Sequence, residues 1–208
     1  MMTFDEAKYA LAKLISDEKY KDLSAAEKQQ AILDLAKDVN ADMAGSKTVL
    51  YSGSVKVNDE TAMKAWDIAK EMAKDPNVRI IDKTDVGKFL DSVEFKNAIY
   101  ATVVDDYKAY LTGDLSPEAM EIAKSKIETF DNEKIYHATD GVWAEASQRF
   151  ASSAKGEVIL IVGEERGLNS VFSQTEFPEL VKNSDITKIK NIEKDKFLNL
   201  TSIKSATI

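Results

Sequence analysis

The residue types that most often carry chemistry are scarce in this chain. Its only histidine, His137, has no second histidine or cysteine with which to hold zinc and no Gly-x-Ser-x-Gly elbow to serve. It reads as a solvated or hydrogen-bonded loop residue. Gly163-Glu164-Glu165-Arg166-Gly167 lacks the lysine-serine ending of a phosphate loop and the glycine spacing of a dinucleotide fingerprint. Cysteine is absent, which excludes disulfides and thiolate catalysis. The many acids form no calcium loop, so no metal site is expected. What remains is Val142-Trp143-Ala144-Glu145-Ala146-Ser147-Gln148-Arg149-Phe150-Ala151-Ser152-Ser153-Ala154, followed by an apolar run and then Ser170-Val171-Phe172-Ser173-Gln174-Thr175-Glu176. These two segments combine aromatic rings, hydroxyls and a carboxylate.

Together they resemble the ADP-ribosyl cyclase and NAD glycohydrolase family. Its signature has a tryptophan, Ser-x-Arg-Phe-Ala four residues later, a strand, and a Ser-x-Phe-x-x-x-Glu loop holding the catalytic glutamate. The resemblance implies that Glu176 is that glutamate and gives Trp143 the tryptophan's place. Leu50-Tyr51-Ser52 is similar to the family's Leu-Trp-Ser, with tyrosine replacing tryptophan. Asp82-Lys83-Thr84-Asp85-Val86-Gly87 is similar to its Glu-Asp-Thr-x-x-Gly, with Asp82 replacing a second active-site glutamate. The four segments occur in the family's order, and together the resemblance covers roughly residues 47 to 195. Two departures stand out. Gly53 lies where animal members place a phosphate-contacting arginine, and the family's disulfides are missing, as expected of a bacterial relative. The implied activity is cleavage of the nicotinamide–ribose bond of NAD, with NAD as substrate and no cofactor.

That chemistry suits these residue types. Nicotinamide in NAD is already a cationic pyridinium and leaves without a general acid, so the enzyme must mainly stabilise an oxocarbenium-like ribose. A carboxylate such as Glu176 can accept charge-assisted hydrogen bonds from the ribose hydroxyls while its field favours the cation. Aromatic faces hold a pyridinium by stacking and cation–π attraction, roughly 0.5 to 2 kcal/mol per contact. Trp143 and Tyr51 are the candidates, and Phe172, on the glutamate's loop, is a further substrate-binding candidate. Ser52, Ser147 and Ser170 could bond phosphate or ribose oxygens. Each assignment has a plainer rival. Trp143 could pack with Phe150 and Ala154, Glu176 could be a solvated loop acid with Glu179 carrying the function, and Asp82 could cap the following helix. Trp66, on an amphipathic helix, reads as core, as do Phe89 and Phe95.

The elements that must position these residues are legible. Thr3 to Glu6 and Ser24 to Glu27 read as capping boxes, each followed by helical apolar spacing, so residues 1–46 form a helical N-terminal region. Short apolar strands are expected at Thr48 to Tyr51, Val78 to Ile81, Val158 to Val162 and Ile186 to Ile192. Helices should intervene from Asn58 or Asp59, from Thr84, over 95 to 130 with a restart at Ser116-Pro117, and from Val142 to Ala154 after a loop near Asp140-Gly141. Strands separated by helices imply an α/β region over 47–208, with a small, mainly parallel four-stranded sheet flanked by helices.

The 208 residues carry 36 acidic against 28 basic side chains, a net charge of −8, which opposes nucleic-acid binding. No apolar run approaches the length that spans a bilayer, and no signal peptide is evident, so a soluble protein acting in a cytosol is expected. A compact NAD-cleaving domain fits a bacterial toxin that depletes a competitor's NAD after delivery and is accompanied by a cognate inhibitor. A signalling cyclase in antiviral defence, a catalytically silent NAD-binding module and a purely structural helical protein are the alternatives. An ADP-ribosyltransferase would show a Ser-Thr-Ser strand with paired acids, which are not found.

Overall fold

The computed structural model describes residues 1–56, 62–103, 113, 115–162 and 171–191. Helices α1 (Phe4–Ser16), α2 (Glu18–Lys21) and α3 (Ala25–Lys37) open the chain, followed by strands β1 (Lys47–Ser52), β2 (Ser54–Lys56) and β3 (Ala62–Lys64). Then come helix α4 (Ala65–Met72), strand β4 (Val78–Arg79), a 3-10 turn at Ile81–Lys83, and helices α5 (Asp85–Asp91), α6 (Val93–Val103) and α7 (Pro117–Ser152). Strand β5 (Gly156–Val162), a π-helical turn (Phe172–Glu176), helix α8 (Phe177–Lys182) and strand β6 (Ile186–Asn191) complete it.

The described residues cluster into two compact units. One comprises Met1–Ala41 with Thr84–Ala146, the other Asp42–Lys83 with the residues from Ser147 onward. The first is helical. Thr3 and Ser24 accept from the amides of Glu6 and Glu27, whose carboxylates accept in return from the cap amides. Each such cap stabilises its helix by about 1 kcal/mol. Ala7, Leu11, Ile32 and Ala36 then face inward with Val86, Phe89, Phe95 and Ile99.

The second unit carries four parallel strands in the order β4-β1-β5-β6. The α/β class and the parallel sheet are as the sequence predicts. The inner strands β1 and β5 bury Thr48 to Leu50 and Val158 to Ile161 in unbroken runs, as a sheet covered on both faces requires. The stripe Ala65, Ile68, Ala69, Met72 and Ala73 of α4 packs on Val49, Val78, Ile80, Ile159 and Ile161. The run at β4 also carries a charge: Arg79 is 2% exposed and donates to Asp42 Oδ1 at 2.5 Å and to the Ser153 carbonyl and hydroxyl at 2.9 and 2.7 Å. Gly45 lets this happen. A Cβ there would lie 2.5 Å from Arg79 Cγ, and its φ of +144° disfavours side chains.

Three expectations are corrected. Helix α4 begins at Ala65 rather than near Asn58 or Asp59, which lie outside the described residues. Ala62–Lys64 instead pairs antiparallel with Ser54–Lys56, and the Ala65 amide donates to the Gly53 carbonyl at 3.0 Å. No loop divides the chain at Asp140-Gly141. Helix α7 runs through both, and His137 lies within it rather than in a loop, because a single glycine costs a helix only about 1 kcal/mol. Trp66 is 38% exposed rather than core, since the buried stripe of α4 passes beside it. Among the described residues, no helix is long and apolar enough to cross a membrane.

Candidate active site

In a parallel sheet, ligands bind beyond the carboxyl ends of the strands, in the crevice where successive connections depart in opposite directions. Here β1 leads through α4 to β4 on one side, while β5 leads to β6 on the other, so the reversal falls between β1 and β5. Tyr51 and Ser52 end β1, paired in register with Ile161 and Val162 at the end of β5. Both are half-buried. Gly53, with φ of +72°, turns the chain out of the sheet directly after them.

Two groups of side chains stand out in this unit. The first centres on Asp82, in the 3-10 turn after β4. Its Oδ2 accepts from the Tyr51 hydroxyl, and its Oδ1 accepts from the Trp66 indole nitrogen at 2.9 Å. The Lys70 ammonium sits 3.5 Å from the centre of the Trp66 ring. Asp82 does not cap α5, because Thr84 does so by accepting from the Gly87 amide at 3.0 Å. Tyr51 and Asp82 are therefore brought together, with Trp66 added. Spacing could have found that tryptophan: the stripe at 65, 68, 69, 72 and 73 leaves Trp66 and Lys70 on a separate face, one turn apart.

The second group centres on Glu176. The segment after β5 folds into a π-helical turn that lies against β1 and continues into α8, closed by the Phe177 amide donating to the Phe172 carbonyl. Such wide turns recur at functional sites. Phe172 is buried, its ring 6.0 Å from that of Phe177, and anchors the turn. Glu176 is thus no solvated loop acid. It is 6% exposed, and burial pushes its carboxyl up to about 8, opposed by a hydrogen bond from Ser147, itself 7% exposed. Burying a carboxyl is costly, and a strongly raised carboxyl is a mark of functional sites.

Glu179 contrasts with it. It accepts from Gln148 and Ser152 at 3.1 Å each and pairs with Lys182, contacts that hold it below the usual carboxylate range. These ties join α8 to the end of α7. Trp143 is half-buried on α7 and belongs to the helical unit. Ser170 lies outside the described residues, as does the segment from Gly163 to Gly167. Among the described residues no group of histidine, aspartate and glutamate is arranged to hold a metal ion. No protein-family model, curated protein or solved structure matches the chain.

Proposed function

We propose that this protein is an NAD glycohydrolase, cleaving the nicotinamide–ribose bond to give nicotinamide and ADP-ribose, with cyclic ADP-ribose as a minor product. The observation that carries the reading is Glu176: a buried carboxyl bonded by Ser147, on a π-helical turn that follows β5 and lies against β1. A buried acid held neutral is converted to carboxylate when a cation arrives, because the opposite charge offsets the cost of burial. The pyridinium of NAD is such a cation. As the C–N bond breaks, its electron pair returns to the nicotinamide nitrogen and the positive charge moves to the ribose, where the Glu176 carboxylate stabilises it. Water then adds to the ribosyl carbon and loses a proton.

Tyr51, Ser52 and Asp82 supply polar groups at the carboxyl end of the sheet for the ribose and phosphates, with Ser147 positioning Glu176. The role given to Trp143 rests on the family resemblance. Open access for water favours hydrolysis, since Gly53 and Asp82 are smaller than the family residues they replace. Such an activity fits a bacterial toxin acting in a target cell's cytosol, with a cognate inhibitor protecting the producer. The second reading, a silent NAD-binding module, draws on Asp82, whose two oxygens are already engaged by Tyr51 and Trp66. Incubating the purified protein with NAD and measuring released nicotinamide separates the two: turnover supports the hydrolase, and saturable binding without release supports the module.

A further inference from the structure

We infer that Trp66 forms a cation-selective stacking subsite, which takes the positively charged nicotinamide ring on the indole face that Lys70 covers in the free protein. The inference rests on the proposed NAD chemistry for the identity of the ring, and on the geometry for the rest. Trp66 is the second residue of α4, and more than a third of it is exposed, unusual for so large an aromatic side chain. One edge of its ring is tethered, because the indole N–H donates to Asp82 Oδ1 at 2.9 Å. The other oxygen of that carboxylate accepts from Tyr51 at the end of β1, which ties the ring to the carboxyl edge of the sheet. A cation already uses the ring, since Lys70 Nζ stands 3.5 Å from its centre.

An ammonium on a flexible stem is readily displaced, and it keeps most of its hydration in water. A pyridinium is flat and less strongly hydrated, so it gains contact over the whole ring as well as the cation–π attraction. The neighbouring Asp82 carboxylate adds complementary charge at the ring's edge. The neutral dihydronicotinamide of reduced NAD would gain the stacking without the charge terms. Trp66 and Asp82 together therefore select the oxidised dinucleotide, and Lys70 holds the face until it enters. Tyr51, which occupies the family tryptophan's place in sequence, serves here to anchor Asp82.

The test uses the full chain carrying Trp143→Phe, which leaves Trp66 as the only tryptophan, since the sequence has two. Titration with the N-methylnicotinamide cation should quench Trp66 fluorescence saturably, and uncharged nicotinamide should bind at least about tenfold more weakly. Lys70→Ala in this background should tighten the cation's binding about three- to tenfold, the scale of one cation–π contact. Lys74→Ala, which removes the same charge from an exposed lysine near the end of α4, should leave affinity unchanged. Linear, non-saturating quenching, equal affinity for the two probes, or a Lys70→Ala variant no tighter than its parent would overturn the subsite. Turnover is scored separately, on the chain with Trp143 intact. A protein that stacks the cation but releases no nicotinamide from NAD keeps the subsite and loses the hydrolase, whereas one that cleaves NAD without stacking does the reverse.

Discussion

The hydroxyl of Ser147, on α7, donates to the carboxyl of Glu176 on the turn after β5, and both side chains are more than nine-tenths buried. Burial drives the carboxyl toward its neutral form and the hydrogen bond opposes this, so the pair titrates within reach of physiological pH. If Glu176 acts as a carboxylate, kcat/KM for nicotinamide release should rise with pH to a plateau above about 8, the value for the free protein. Initial rates at low NAD across pH 6 to 10 would show it. A flat profile removes Glu176 from the rate equation.

Stability should run the other way. The folded protein binds the Glu176 proton more tightly than the unfolded chain, whose carboxyl has the ordinary value of 4.5. This contribution is complete below about pH 4.5 and is lost as pH rises to about 8, beyond which it is constant. Glu176→Gln removes it. Urea unfolding of wild type and variant at pH 5, 7 and 9 should show their difference shifting in the variant's favour with pH.

Ser147→Ala removes the group that favours the charged form. The midpoint of the rate profile should move to higher pH, and stability should fall by about 1 kcal/mol for one buried hydrogen bond. A loss of stability with the midpoint unmoved would mean that Ser147 only packs.

Asp42→Asn leaves the buried Arg79 guanidinium without its carboxylate while the two Ser153 contacts remain. Asp42 is itself half exposed, so losing this charged hydrogen bond should cost about 1.5 to 3 kcal/mol, read as a lower urea midpoint with unchanged slope. A silent substitution would show that Ser153 and the Phe150 ring, 5.3 Å from the guanidinium, suffice.

Much of this architecture is legible in the sequence, and the exceptions have physical causes. Val158 to Ile161 announce a buried strand because β-branched and apolar residues follow one another without a break, and Thr3 and Ser24 announce helix starts because caps are local chemistry. The β2–β3 hairpin is silent: Ser54 to Lys56 and Ala62 to Lys64 are too short and too polar to show a strand's alternation. Arg79 hides inside an apolar run because its partners Asp42 and Ser153 are far away in sequence. Asp82 shows its residue type but not its two aromatic donors, which meet only once β1, α4 and β4 are assembled. In the sequence Glu176 is singled out only by the motif. Nothing local distinguishes it from Glu179, and only the π-helical turn buries one and ties the other to Gln148 and Ser152.

The central claim is that the Glu176 charge stabilises the ribosyl cation, and Glu176→Gln tests it most directly because size and hydrogen-bonding reach are kept while the charge is lost. Nicotinamide release from saturating NAD, followed by mass analysis at pH 8.5, should fall by about 100-fold or more, roughly 3 kcal/mol in the barrier. Glu179→Gln, assayed beside it, should keep its rate and lose less than about 1 kcal/mol of stability with its surface ties. A Glu176→Gln protein that folds and releases nicotinamide at the wild-type rate would contradict the account.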